Sequence, residues 1–138
     1  MNRTMLFVAA VIAATVGSVQ AQGTFTGMGA RNTYMSGISA DGTIAVGVYG
    51  SLGPAWRWTT SGGVVNIGSV SQQVKVSRDG KTVVGEAKDS AGISSAAIWQ
   101  SGTTWRTLGG VPNGKILDGE WSSSYGVSGD GSVIVGLA

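Results

Sequence analysis

The side chains that could act chemically in this chain are mainly carboxylates, lysines and tyrosines, because its 138 residues include no His and no Cys. That absence excludes an imidazole base, a Ser-His-Asp triad, a thiolate nucleophile and a Cys-based metal site. Any enzyme mechanism would therefore use carboxylates, lysine, tyrosine or an oxygen-ligated metal ion.

Two pairs of carboxylates lie close enough in the sequence to suggest a glycosidase. Glu120 follows Asp118, and Asp89 follows Glu86. Glycosidases place two carboxylates on either side of the bond that they cleave, but acidic residues this close in sequence are also typical of solvated surface loops. We therefore predict no catalytic residue, and a carboxylate-dependent glycan hydrolase or lyase stays an alternative function.

Three tryptophans, Trp56, Trp105 and Trp121, are candidates for a ligand platform. An exposed indole can stack on a sugar ring or on a protein partner. Glu120 stands directly before Trp121 and is the fourth candidate ligand-binding residue. A carbohydrate-binding module that uses these side chains is the second alternative function.

An internal repeat must position these residues, and its clearest mark is the pattern Ser-x-Asp-Gly followed by Val-Gly. The pattern occurs at residues 39–47, 77–85 and 128–136. Asp-Gly favours a tight hairpin turn, since Gly tolerates a positive φ and Asp accepts hydrogen bonds from the backbone that follows it. The predicted turn residues are Asp41 with Gly42, Asp79 with Gly80, and Asp130 with Gly131.

Calcium binding is the other use that these recurring aspartates could have. Calcium takes six to eight oxygen ligands, and one carboxylate in each turn does not supply them. We therefore predict structural turn residues, with no metal and no cofactor.

A second repeated block carries the other tryptophans. Ala55–Thr59 contains Trp58, which corresponds to Trp99 in the next repeat. Because Trp58 and Trp99 recur at one position, we expect them to pack in the core between neighbouring repeats. The three candidate platform tryptophans have no such counterparts. Together with the turns, this block sets a repeat period of about 40 residues.

Each period holds four short apolar runs separated by turn signals, which is the spacing of β-strands. The sequence predicts an all-β fold of four-stranded antiparallel meanders, a partial β-propeller of about two and a half blades. The repeats lie at approximately 30–68, 69–109 and 110–138, and the last is incomplete. A strand at Phe25–Gly29 would precede them. Open edge strands would allow self-association.

These motifs resemble the HAF repeats of bacterial extracellular proteins. The resemblance rests on the Ser-x-Asp-Gly hairpins, on Ala55–Thr59 and on Leu108–Gly114, and it extends over nearly the whole chain after the N-terminal segment. It implies a secreted protein with a propeller-like β fold and no settled biochemical activity.

The N-terminus has the pattern of a Sec signal peptide. A positive start at Arg3 precedes an apolar run and a small-residue cleavage site at Ala21. The sequence therefore predicts a signal peptide at residues 1–21, a repeat domain at residues 22–138, a periplasmic or extracellular location in a bacterium, and no membrane span after cleavage.

The charge balance excludes one class of partner. The chain has 9 Lys and Arg against 7 Asp and Glu, and these charges form no basic stripe for nucleic acid. The main prediction is a secreted structural or interaction module with no intrinsic catalysis, whose protein or glycan partner the sequence does not identify.

Overall fold

A computed structural model of the protein describes residues 27, 32–51, 53–109 and 121–137. Across these ranges the chain is all-β, with ten strands in three antiparallel sheets and no helix. The predicted signal peptide lies outside the described residues, as do Glu120 and all but Gly27 of the predicted strand at Phe25–Gly29.

The strands follow the repeats in chain order. The first sheet contains β1 (Thr33–Ile38), β2 (Ile44–Tyr49), β3 (Ala55–Thr59) and β4 (Gly63–Gly68). The second contains β5 (Lys75–Val76), β6 (Val83–Lys88), β7 (Ser94–Ser101) and β8 (Thr104–Thr107). The third contains β9 (Ser123–Val127) and β10 (Ile134–Leu137). The predicted all-β fold of antiparallel meanders is confirmed, whereas the three sheets form no closed ring in the described part of the chain.

The first and second sheets pack face to face through an apolar core. Strand alternation sends Val46 and Val48 of β2 toward the second sheet, where they meet Val74 and Val83. The core also contains three other buried residues, Ala55, Ile67 and Val70. Fully burying one valine or isoleucine side chain contributes roughly 1.5–3 kcal/mol. This interface is therefore a main source of stability.

The second and third sheets meet through serines instead. Strand β9 lies against β6 and β7. The Ser124 hydroxyl donates to the carbonyl oxygen of Gly85 at 2.7 Å. Just before β9, the Ser122 hydroxyl accepts from the Ala96 amide and donates to the carbonyl oxygen of Gly109, both at 2.9 Å. The two interfaces thus use different chemistry in one repeated geometry.

The glycine of the Val-Gly pair makes room for an indole ring in both complete repeats. A Cβ on Gly47 would overlap the carbonyl oxygen of Tyr34 and lie 2.5 Å from Cζ2 of Trp56. A Cβ on Gly85 would lie 3.3 Å from Cζ3 of Trp105. The absence of a side chain at each glycine thus leaves space that the indole ring occupies.

We predict that Gly47→Ala destabilises the fold by about 1–3 kcal/mol, because the tyrosine carbonyl is backbone and cannot move aside without distorting the sheet. Urea denaturation followed by tryptophan fluorescence would measure the change. Gly129→Ala is the matched control, since its added Cβ would meet the Arg78 Cβ at 3.4 Å, an ordinary contact. Equal stability of the two variants would contradict the prediction.

Candidate functional site

Each Ser-x-Asp-Gly turn is closed by hydrogen bonds within itself. In the first turn, the Ser39 hydroxyl donates to Oδ1 of Asp41 at 2.6 Å, and the Thr43 amide donates to the same oxygen at 3.1 Å. The Ile44 amide donates to the Ser39 hydroxyl at 3.0 Å. The Ser–Asp bond recurs at 2.6 Å in the other two turns, between Ser77 and Asp79 and between Ser128 and Asp130. Each aspartate is therefore engaged in its own turn.

The turn glycines adopt the left-handed backbone that Asp-Gly favours. Gly42, Gly80 and Gly131 have φ values of 71°, 74° and 76°. A residue with a Cβ would be strained in this region. The repeated Asp-Gly pairs are thus explained by backbone geometry and by side-chain bonding together.

Hydrogen bonds to the turn aspartates stabilise their charged forms. In each turn the hydrogen bond from the serine hydroxyl has the largest effect, and it lowers the pKa of the aspartate carboxyl below its ordinary value. For Asp130, the Ser128 hydroxyl and the backbone amide and hydroxyl of Ser132 lower the pKa to about 2. No group of three or more potential metal ligands occurs among the residues that the structure describes.

The three turns stand side by side and bond to one another. We call residues 39–44, 77–82 and 128–133 the turn stack. The Ala40 amide donates to the carbonyl oxygen of Arg78 at 2.8 Å, and the Asp79 amide donates to that of Gly129 at 3.1 Å. These bonds fix the position of each repeat relative to the next.

Both ends of the turn stack are uncovered in the described structure. A Cβ on Gly42 would meet nothing within 4 Å, whereas one on Gly80 would lie 2.6 Å from Cδ1 of Ile44 in the preceding turn. At the other end, Val133 occupies the position of Ile44 and is 55% exposed.

The third sheet exposes side chains that the same positions bury elsewhere. Val46 and Val84 are completely buried, but their counterpart Val135 is 59% exposed. Leu137, on the same strand, and Val133 are exposed as well. We call Val133, Val135 and Leu137 the third-sheet face. Strand β10 pairs only with β9 in the described part of the chain.

The candidate platform tryptophans are not brought together. Trp56 is completely buried over Gly47, so its indole offers no face to a ligand. Trp105 is half-buried between the first two sheets, and its Nε1 donates to the carbonyl oxygen of Ile67 at 2.6 Å. Trp121 is 42% exposed and precedes the third sheet. Of the three, Trp121 is the most exposed.

A cavity of about 560 Å³ lies beside Trp105 at the junction of the first two sheets. Its polar lining includes Asn66, Ser71 and Lys88. The Asn66 side chain already accepts a hydrogen bond from the Gly68 amide at 2.8 Å. The Trp105 indole N–H is also engaged, so this cavity has fewer free polar groups than its lining suggests.

Trp99 packs against the core between the first two sheets and remains half-buried. Its counterpart Trp58 is also half-buried but is not part of that core. The Arg57 guanidinium lies 5.7 Å from the centroid of the Trp99 ring and joins the first sheet to the second by a cation–π contact. Sequence reasoning missed this role of Arg57. The sequence did show that Arg57 lies between Trp56 and Trp58 on β3. Strand alternation therefore places Arg57 on the face opposite to those two tryptophans.

Of the two candidate carboxylate pairs, only Glu86 and Asp89 lie among the described residues. Glu86 is 4% exposed, and its Oε2 is buried without a hydrogen-bond partner. Asp89 Oδ1 instead accepts hydrogen bonds from the backbone amides of Ala91 at 2.8 Å and Ile93 at 2.9 Å. These bonds close the turn after β6. The Glu86 and Asp89 side chains therefore serve the core and a turn. Glu120 and Asp118 lie outside the described residues.

No protein family, characterised protein or solved structure matches the chain. The resemblance to HAF repeats therefore stays a prediction that rests on the quoted motifs. In the described ranges no helix is long and apolar enough to span a membrane.

We predict that acid weakens the fold through the turn aspartates. A carboxyl whose folded-state pKa is lowered stabilises the fold above its unfolded pKa and loses that effect as the pH falls through its folded pKa. For Asp130 the window runs from about 4, the ordinary pKa of aspartate, to about 2. Asp130→Asn should lower the urea midpoint at pH 7 and reduce its fall between pH 5 and pH 2.

Ser132→Ala, which removes one of the donors to Asp130, should give an intermediate pH profile. An Asp130→Asn profile that parallels the wild type would show that this carboxylate does not contribute to the pH dependence.

We further predict that Glu86→Val stabilises the fold by about 1 kcal/mol, because it replaces a carboxyl that has a buried, unpartnered oxygen with the residue found at the equivalent position, Val48. Thermal or urea unfolding would measure the gain. Glu86→Gln keeps the size and the polar group and should give no gain. A loss of stability in the valine variant would show that the carboxylate has a favourable partner.

Proposed function

We propose that this protein is a secreted, non-catalytic structural and interaction module whose third-sheet face binds a further β-repeat. The main support for this proposal is the exposure of Val135, which is 59% exposed although Val46 and Val84 at the same repeat position are completely buried. In the first repeat, this position is covered by the sheet of the next repeat. A partner with similar β-repeat geometry would cover it in the third.

The composition of the third-sheet face supports a protein partner over a small polar ligand. Its side chains are two valines and one leucine, each more than half exposed. Contiguous exposed apolar side chains are typical of interaction surfaces. The repeat pattern favours the four-stranded blades of a β-propeller, in which neighbouring repeats cover each other's apolar faces.

The carboxylates and tryptophans give less support to the alternative functions. Glu86 and Asp89 are engaged in the core and in a turn, so a hydrolase would depend on Glu120 and Asp118. A carbohydrate-binding module would depend chiefly on the exposed ring of Trp121. The predicted signal peptide at residues 1–21 supports a location outside the bacterial cytoplasm.

The expected strength of the interaction follows from the face itself. Burying a fully exposed side chain of this kind gives roughly 1.5–3 kcal/mol, which is an upper limit for each of these three because they are already nearly half buried. Association costs about 4–15 kcal/mol of translational and rotational freedom. The summed upper limit for the three side chains falls within the range of this cost, so the association should be weak and concentration-dependent.

We predict that Val135→Asp abolishes concentration-dependent association, because it places a charge in the contact. Sedimentation velocity between micromolar and millimolar concentrations would measure the change, with circular dichroism to verify the fold. Val65→Asp is the matched control, since Val65 is a 47% exposed valine on β4, away from this face. Association of the Val135→Asp variant equal to that of the wild type would overturn the proposal, because it would show that the third-sheet face is not the binding surface.

A further inference from the structure

The structure also indicates which surface would cover the third-sheet face. Resting on the proposed function, we propose that the partner is a second copy of this chain, whose first repeat docks on the third repeat as the second repeat docks on the first. The contact would be head-to-tail and would continue the turn stack from one copy into the next. Three internal contacts supply the template.

The first template is the close contact of a turn glycine with the preceding repeat. A Cβ on Gly80 would lie 2.6 Å from Cδ1 of Ile44, and one on Gly131 would lie 2.7 Å from Cβ of Thr82. In both cases a turn glycine lies close to the residue five positions after the serine of the preceding turn. Among the described residues, Gly42 has no neighbour of this kind, and no glycine lies on Val133, which holds the position of Ile44 and Thr82. The first turn thus offers a glycine, Gly42, and the third turn offers the side chain, Val133, on which such a glycine could lie.

The second template is the fit of a β-branched side chain on a bare backbone. A Cβ on Gly37 would lie 3.2 Å from both Val46 of its own sheet and Val76 of the next repeat. In the third repeat, a Cβ on Gly126 would lie 3.1 Å from Val135, but no described residue takes the place of Val76. The counterpart of Val76 in the first repeat is Ile38, which is 56% exposed. Ile38 of a second copy would fill that place.

The third template is the contact between the second residues of adjacent turns. The carbonyl oxygen of Arg78 accepts a hydrogen bond from the Ala40 amide at 2.8 Å. The Cβ of Arg78 would lie 3.4 Å from a Cβ on Gly129. These residues hold the same position in the three turns. Continuation of the turn stack would set Ala40 of a second copy beside Gly129 of the first. All three templates thus place the first repeat of one copy on the third repeat of another.

This arrangement joins two different surfaces, so it has a direction. A contact of this heterologous kind forms either a closed ring or an open filament, whereas an isologous dimer joins one surface to itself. The direction gives a test that does not depend on the strength of association.

Disulfide trapping fits this chain because it contains no Cys. Ala40→Cys and Gly129→Cys are made as separate single variants and mixed under mild oxidation at a concentration where the wild type associates. The expected result is a mixed disulfide dimer that is at least about tenfold more abundant than either homodimer, read by mass spectrometry. The double variant Arg78→Cys/Gly129→Cys calibrates the geometry, since its Cβ separation of 3.4 Å is close to that of a disulfide, about 3.5–4.5 Å, and should close within one chain.

The other results are equally decisive. Homodimers of either single variant in excess of the mixed dimer would indicate an isologous contact and overturn the head-to-tail arrangement. Association that Val135→Asp abolishes, with no mixed disulfide while the internal control closes, would retain the proposed function but reject this geometry. Absence of association in the wild type would reject a second copy as the partner. Adding Val135→Asp to the Gly129→Cys variant should remove the mixed dimer and thereby exclude random collision.

Discussion

The fold depends on one local constraint, the closure of the Ser-x-Asp-Gly turn by its own side chains. The serine hydroxyl donates to the aspartate at 2.6 Å in all three turns and accepts a hydrogen bond from the amide five residues later. These bonds all lie within one turn and need no contact with another repeat. Because adjacent turns also bond through their backbones, a local motif determines the spacing of whole sheets.

The sequence predicted this part of the structure well because it is local. A hairpin at Asp-Gly needs only a glycine with positive φ and a carboxylate near the following amides, and the repeat of about 40 residues followed from the recurring block that contains Trp58 and Trp99. The tryptophans were harder to place. Alternation along β3 separates Trp56 from Arg57, but it does not tell which face is covered. Trp56 is buried because Gly47 leaves space above the strand, and that contact joins two strands.

The two sheet interfaces show how far a repeat can vary within one geometry. Apolar side chains such as Val46 and Val83 fill the first. The second uses Ser124 and Ser122, while Glu86 is buried where the first repeat has Val48. In a repeat protein each interface contributes its own nearest-neighbour free energy. Hydrogen bonds between protein groups replace bonds to water and give a smaller net gain than apolar burial. The third sheet should therefore be the more weakly attached one.

That difference bears on how the molecule would associate. Pairing along the free edge of β10 would satisfy backbone groups, as the open edge strands suggested, yet it would leave Val133 and Val135 in water because their side chains extend from the plane of the sheet. Stacking of a second sheet on the face would cover those side chains. It would also support the weakly attached third sheet from its other side, so association and folding of this sheet would be coupled. Face stacking is therefore favoured over edge pairing by the same interactions that hold the first two sheets together.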